Sequence, residues 1–582
     1  MPDHATPASA AHLSRAHVDS WLLSLGAEVG ENPPSIEELR ASASWRVTKP
    51  LRAVRGRERL SRVRSRRLPF RLPSLDASSD LESSREALHQ RLRAIEPHLL
   101  PHQPSAHRPA LSVEELLGEL CARALADQSS EDSEHPRASL WLVIVAVSGC
   151  FPDHNLLLGL SRDISEATER EAVARILHHC GVWATRHGSA QRRISVVDDK
   201  IVAFVNLTGR FGFNSGVQRV TRETLARWYP SGEIELTVMT DDGTALRALG
   251  ESEADRVIAW NQTKSDDTSE LDDDDFALIV PWRTTLFLPE IVSGTNALTL
   301  GALARFTPNT CVALVYDSIP ASTGFAVPRL ENLRFSTYLS MLKYFDKGIA
   351  ISASSAEEFQ GFTAALEAQG LRGPEITSVL LPIEHIPETD GADEPSADEL
   401  PLVLSVGSNE PRKNQLAVIY AAEVLWRRGL AFRLQIVGGR GDTGLTEIGE
   451  AARALRSLGR SIEVLRDVDE STLSRAYKSA RFSVFVSLHE GYGLPVAESL
   501  AVGTPVVTTR YGSTAEIAEG GGCILVDPRD DDEIVEAIAS LLTDDTLLGS
   551  LNEQIDARRD ATWDDYAVAI RASVTGESGA LA

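Results

Sequence analysis

The sequence predicts an α/β protein with two Rossmann-like domains facing a cleft, preceded by an N-terminal helical extension. Three observations carry this. From about residue 196, strand-like runs alternate with helical runs, the grammar of a doubly wound parallel sheet. A polar stretch, HIPETDGADEPSA, interrupts the alternation, which then restarts at PLVLSVGS. Before residue 195 the periodicity is helical and no strand is read.

The elements follow in order. Residues 1–75 form an N-terminal region with a basic arm at 46–71, and 76–195 read as a linker and small helical domain. In the latter, SVEELLGELCARALA opens on a capping box, Ser112 with Glu115, and SLWLVIVAVSGC and SEATEREAVARILHHCG continue the helical pattern. The His178–His179–Cys180 cluster has no second ligand pair at metal-binding spacing and reads as a helix end. Residues 196–390 form the first Rossmann-like domain. Its strands are read at ISVVDDKIVAFVNL, IELTVMT, FALIVPW, CVALVYD, KGIAIS and TSVLLPI, with a Gly-rich loop, GRFGFNSG, entering a helix. The acidic run at 266–275 reads as a solvated loop before FALIV. Residues 396–560 form the second domain, and 561–582 a C-terminal crossover helix and tail anchored by Trp563.

Bulk properties narrow the function. The 582 residues are enough for three or four domains. A net charge of −25 argues against nucleic acid as a partner. Against that background, 46–71 carries eleven Lys/Arg and one acid, Glu58, with Arg52, Arg55, Arg59, Arg62 and Arg66 at helical spacing. The arm is a solvated tether, an interfacial helix on an anionic membrane surface, or a partner-docking helix. Five scattered cysteines without a CxxC pair fit reduced thiols in a cytoplasm. The polar N-terminus shows no signal-peptide core, and no apolar run reaches eighteen residues, so no transmembrane helix is expected.

The chemistry concentrates at HEGYGLPVAE (489–498), which follows the buried strand FSVFVS. Such a strand-to-helix loop exposes backbone N–H groups that favour an anion. Gly491 and Gly493 let the backbone approach a ligand closely, and Pro495 fits a first helical turn. Glu490 and Glu498 can accept hydrogen bonds from hydroxyl groups. A second loop, VGSNEPRKNQ (406–415), puts Arg412 and Lys413 at another strand's carboxyl end, where two cations would neutralise a pyrophosphate. Tight turns with solvated charges are the alternative for both.

FVSLHEGYGLPVAESLAVGTPVVTT resembles the E-x7-E signature of retaining GT-B glycosyltransferases of family four, the group 1 glycosyl transferases. SVGSNEPRKNQ is similar to that family's phosphate-binding loop. SGVQRV (215–220), VYDSIP (315–320) and the IAIS-then-helix unit resemble the N-terminal half of its mannosyl- and rhamnosyltransferase-like members. The resemblance covers about 196–575.

It implies a GT-B fold and a donor clamp. Glu498 would bind the nucleotide ribose and Glu490 the donor-sugar hydroxyls near the transferring centre. Backbone at Gly491, Tyr492, Gly493 and Leu494 would hold sugar and diphosphate. Arg412 and Lys413 would stabilise the leaving diphosphate, with Ser408 in the same loop. Gly438 and the loop after IEVLRDV would border the base. Asp317, where many relatives carry a nearby His, is a candidate for contact with acceptor or donor sugar, or a cap of the following helix. Gly216 and Arg219 would face the diphosphate or acceptor across the cleft, or form a plain helix start.

The implied reaction transfers a hexose, mannose or similar, from a nucleotide-diphosphate sugar to a glycan or lipid-linked acceptor with retention, as in surface polysaccharide or O-antigen assembly. No cofactor and no metal are expected, because cations already face the leaving group. A catalytically silent nucleotide-sugar binder or scaffold is the alternative. A phosphorylase finds no recognisable pyridoxal-phosphate lysine motif. The expected location is cytoplasmic, with the arm on the inner membrane face.

Overall fold

A computed structural model describes residues 15–26, 79–100, 111–130, 134–187, 191–260, 273–292, 294–323, 329–383, 400–438, 445–466 and 468–576. The basic arm, the 385–397 stretch and residues 439–444 lie outside the described residues.

The second domain is the simpler of the two. Its strands are β10 (Leu402–Val406), β11 (Arg433–Gly438), β12 (Ile462–Arg466), β13 (Phe482–Phe485), β14 (Val506–Thr509) and β15 (Cys523–Val526). They pair in the order β12-β11-β10-β13-β14-β15, every neighbour parallel. Helices cover both faces, so the strands can be apolar throughout, and β13 and β14 are buried at every position. The order reverses between β10 and β13. In open α/β sheets such a switch point is where ligands bind, because the flanking loops diverge there and leave a crevice.

The first domain carries nine strands in the order β1-β5-β4-β3-β2-β6-β7-β8-β9. They are β1 (Ile194–Val197), β2 (Ile201–Phe204), β3 (Ile234–Met239), β4 (Leu246–Ala248), β5 (Leu278–Pro281), β6 (Thr285–Leu288), β7 (Thr310–Val315), β8 (Lys347–Ala350) and β9 (Glu375–Ser378). Several sequence expectations need correcting. ISVVDDKIVAFVNL is not one strand. Residues 198–200 turn the chain, β1 pairs with β5 at the sheet's end, and β2 lies centrally between β3 and β6. The sheet is mixed, because β4 runs antiparallel to β3 and β5. Strands β4 and β6 and the helix Thr295–Phe306 carry too little periodicity to be read. Of the acidic run, 266–272 lies outside the described residues; Asp273 is buried and accepts from the buried Arg247 Nε at 2.6 Å.

The helical extension is not a domain with its own core. The helix Ala138–Ser148 is buried at every residue, so it needs apolar neighbours on all sides. Helices Ser79–Leu99, Val113–Gln128, His154–Ile164 and Glu169–His187 supply some of them, and strands of the sheet share the same core. Trp141, Leu142 and Val143 share one core cluster with Val202, Leu278 and Leu286 of the strands. Polar ties reinforce the seam. Buried Arg91 donates to Ala146 O at 2.7 Å and Arg192 O at 3.0 Å, and Phe151 N donates to Thr244 O at 2.9 Å. The Ser112–Glu115 capping box forms in both directions. Cys180 lies in the core, and His179 Nε2 faces Asp163 at 3.3 Å.

The helix Trp563–Thr575 leaves the second domain and packs on the first. Trp228 Nε1 donates to Ala567 O at 2.9 Å, and Trp563 is buried.

Candidate functional site

The loops leaving β10 and β13 meet at the switch point and are laced together. Leu488 N and Ser487 Oγ donate to Arg412 O at 2.7 and 3.0 Å, and Arg412 Nη1 donates to His489 O at 3.1 Å. Pro411–Lys413 forms a 3-10 turn. Asn414 ends it at φ 56°, a conformation asparagine tolerates better than most residues.

Glu490 lies at the centre of this lacing, its side chain only 10% exposed. It accepts from Lys413 Nζ at 2.6 Å and Ser487 Oγ at 2.6 Å, with Arg412 Nη1 at 3.0 Å. Burial alone would raise its pKa. The charges of Lys413 and Arg412, with the hydrogen bonds from Lys413 and Ser487, outweigh that and hold the carboxyl below its usual range. Glu410 takes Arg412 Nε at 2.7 Å and Ser408 Oγ at 2.6 Å. The three residues assigned separately to sugar and diphosphate thus form one ion-paired cluster.

Glu498 lies about two turns further on, in the helix Leu494–Ala501. Its Oε2 accepts from Tyr477 Oη at 3.1 Å, and its Oε1 lies 3.6 Å from Arg219 Nη1 of the first domain. Arg219 also lies over the Trp563 ring, 5.9 Å from its centroid. Tyr477, Leu494, Glu498, Arg219 and Trp563 line one pocket between the domains. Arg219 is therefore a cleft residue and not a plain surface cation.

The glycines behave differently from expectation. A Cβ on Gly491 would meet Tyr316 O at 2.6 Å, and one on Gly493, at φ +112°, would meet the Thr514 methyl at 2.8 Å. A Cβ on Gly216 would meet Leu494 Cδ1 at 2.8 Å, and one on Gly438 would meet Asn409 Oδ1 at 2.7 Å. All four positions are closed by protein atoms, so close approach of a ligand is not what requires glycine there. The Tyr492 hydroxyl donates to Leu381 O at 2.8 Å, which fixes the side chain and leaves the backbone role expected of this residue untouched.

Sequence reasoning missed the contacts that bring the halves together. Gly491 O accepts from Ser352 Oγ at 2.7 Å and Ser355 Oγ at 3.0 Å. Glu516 accepts from Ala353 N and Ser354 N at 2.8 and 2.7 Å, placing a carboxylate at the N-terminus of the helix Ala353–Glu367. Glu358, in the same helix, faces His489 Nε2 at 2.5 Å. A serine at the head of the helical run, Ser352, is the one sequence feature that could have pointed there; nothing marks Glu358 or Glu516. Asp317 is partly buried and accepts from Ile319 N at 3.1 Å, the capping role left open above. Burial is the main cause that raises its pKa.

Two Rossmann-like domains with a cleft, a crossover helix and charged loops at the switch point define the GT-B fold. Residues 388–558 match the family described as "Glycosyl transferases group 1", and the second domain belongs to it. The chain is 25% identical over 363 residues to "Serotype-specific mannosyltransferase WbdA" of Escherichia coli, covering 58% of this chain and 40% of that protein. It is 32% identical over 149 residues to "O-antigen chain mannosyltransferase B" of Escherichia coli, covering 25% of this chain and 37% of the relative. It spans about two fifths of the length of these relatives. Sucrose-phosphate synthase from Thermosynechococcus elongatus superposes with a TM-score of 0.45 at 16% identity, over 65% of this chain and 98% of that one. No helix among the described residues is long and apolar enough to cross a membrane.

Proposed function

We propose that this chain transfers a hexose, mannose or similar, from a nucleotide-diphosphate sugar to a glycan or lipid-linked acceptor with retention of configuration. The observation that carries the reading is the cluster of Glu490, Arg412 and Lys413 at the switch point, with Glu498 facing Arg219 in the adjoining pocket. Glu498 receives the ribose hydroxyls. Arg412 and Lys413 oppose the diphosphate, where negative charge grows as the glycosidic bond breaks, so their stabilisation is greatest in the transition state. With these cations in place the leaving group needs no metal. Glu490 keeps both cations aligned and presents its remaining lone pairs to the sugar.

The domains close over the donor and exclude water, because hydrolysis competes with transfer. Similarity to mannosyltransferases that build O-antigen chains supports mannose and a polysaccharide acceptor. An association of the 46–71 arm with anionic membrane would place the enzyme near lipid-linked acceptors on the cytoplasmic side.

A thermal-shift panel of nucleoside diphosphates and their sugars tests the donor reading, since a matched ligand stabilises only the folded state it binds. A matched donor should raise the melting temperature of the wild type and shift Glu498→Ala clearly less; an equal shift in both sinks the ribose assignment. NMR of the product's anomeric proton decides retention. Donor binding without any transfer or donor hydrolysis would favour the silent binder.

A further inference from the structure

The loop joining the short helix Asn206–Arg210 to the helix Gly216–Trp228 reads FGFNS at 211–215 and takes no part in the cluster above. Phe211 and Phe213 are 49% and 50% exposed, their ring centroids 6.0 Å apart with planes at 31°. Two phenyl rings held side by side in water forgo the burial that normally places such residues inside.

The loop is firmly held. Arg222 is buried and stacks on Trp260, 3.7 Å from the ring centroid. Its guanidinium donates to Phe213 O at 3.0 Å, Asn214 Oδ1 at 2.7 Å and Phe211 O at 3.5 Å. One cation thus pins the carbonyls of both phenylalanines, so the rings are presented in place and pay little ordering entropy on binding.

Position and chemistry name the occupant. The next residue, Gly216, touches Leu494, and three residues on Arg219 reaches Glu498, so the loop forms the rim of the same cleft. Its exposed polar neighbours, Asn214 and Ser215, are an amide and a hydroxyl. The nearest cations are committed: Arg210 pairs with Asp241 at 2.5 Å, and Arg222 is spent on carbonyls. A membrane patch would show cations beside its aromatics. Aromatic faces flanked by neutral hydrogen-bonding groups suit a sugar ring, whose C–H face is apolar and whose edge carries hydroxyls.

We propose that Phe211 and Phe213 form a stacking platform for a neutral sugar ring of the acceptor glycan, at the cleft rim and outside the donor pocket. The inference rests on the proposed transferase reading for the word acceptor, and on the loop alone for the sugar.

Saturation-transfer NMR of mannotriose, maltotriose and galactotriose with the full chain tests it, alongside F211A/F213A and F211Y/F213Y. At least one trisaccharide should give a signal with the wild type. That signal should fall about fivefold or more in the alanine pair and persist in the tyrosine pair, which keeps the faces. No signal with any trisaccharide, an equal signal in the alanine pair, or equal loss in the tyrosine pair overturns the platform. So does binding to phosphatidylglycerol vesicles that the alanine pair abolishes without any sugar signal. A nucleoside-diphosphate thermal shift on the same samples should be unchanged by either pair. Its absence from the wild type would count against the donor reading while leaving the sugar signal to decide the platform.

Discussion

The two domains meet the cleft with different materials. The six-stranded domain brings a charged cluster whose partners all come from its own two loops: Glu490 with Arg412, Lys413 and Ser487. The nine-stranded domain contributes serine hydroxyls, helix-end amides, Glu358 and Arg219, and spends them on the other domain's backbone and side chains. On the proposed reading, one half assembles the chemistry and the other positions it. Substitutions on the first side should therefore abolish turnover, and those on the second should loosen alignment.

Glu490→Ala should give the largest effect. It leaves Lys413 without its carboxylate and removes one of two from Arg412, which keeps Glu410. Breaking a buried pair this way costs about 3 kcal/mol, and losing the alignment of the cations should lower transfer roughly a thousandfold. Glu490→Gln keeps the shape and an acceptor but not the charge: stability should return only in part, while product formation stays low. Near-normal product formation with the glutamine would place Glu490 in a structural role only.

Glu498→Ala comes next, at roughly 10–100-fold in donor affinity, the worth of a hydrogen bond to a charged group. Because Glu498 also faces Arg219, a double-mutant cycle with Arg219→Ala sharpens the comparison between the domains. Isothermal titration with the matched donor should show coupling between the two sites. Strict additivity would mean that the cross-cleft pair is incidental to binding.

The difference between the domains also decides what could be read from sequence. The strands β10 to β14 and the two strand-end loops were legible, because apolar runs, glycines and charges stand close together in HEGYGLPVAE and SNEPRKNQ; β15, only four residues long, was not read. The first domain was legible only as alternation. β4 and β6 are three and four residues long, too short to show a period, and the helical cover shares its core with strands that come later in the chain. The glycines illustrate the limit best. A glycine-rich loop signals close approach, but sequence alone does not say what approaches. At Gly491 it is the Tyr316 carbonyl of the other domain.

Gly491→Ala tests that contact. A methyl group 2.6 Å from Tyr316 O must push the domains apart or distort the loop, at a cost of about 1–3 kcal/mol typical of overpacking. Gly549→Ala is the control, since no atom lies within 4 Å of its Cβ position in the helix Asp545–Asp556. That change should gain up to about 1 kcal/mol from helix propensity. Denaturant titration would separate the two, and equal, small effects would remove the argument that glycine serves the domain contact.

The smallest expected effect is the pH dependence of the same interface. His489 Nε2 faces Glu358 Oε1 at 2.5 Å, and Nδ1 lies 3.3 Å from Ser322 Oγ. The hydrogen bond to Glu358, then its charge and those of Asp317 and Glu490, raise the imidazole pKa above its ordinary value despite burial. Burial would raise the Glu358 pKa, but hydrogen bonds from His489 and Ser318 and the imidazolium charge carry it below the usual range. A raised histidine stabilises the fold fully below its unfolded pKa and progressively less as pH climbs through the folded value. A depressed carboxylate stabilises above its unfolded pKa, and that part is lost as pH falls through the folded value. The interdomain pair is therefore strongest from the mildly acidic range up to the raised histidine value. Wild type should lose about 2 °C more than His489→Gln between about pH 6 and 9. The gap between them should close at the alkaline end, where the wild-type ring is neutral and the glutamine still spans the contact. A gap of constant size across that range would show that the pair's charge contributes nothing to holding the domains together, leaving the serine and Glu516 contacts to do so.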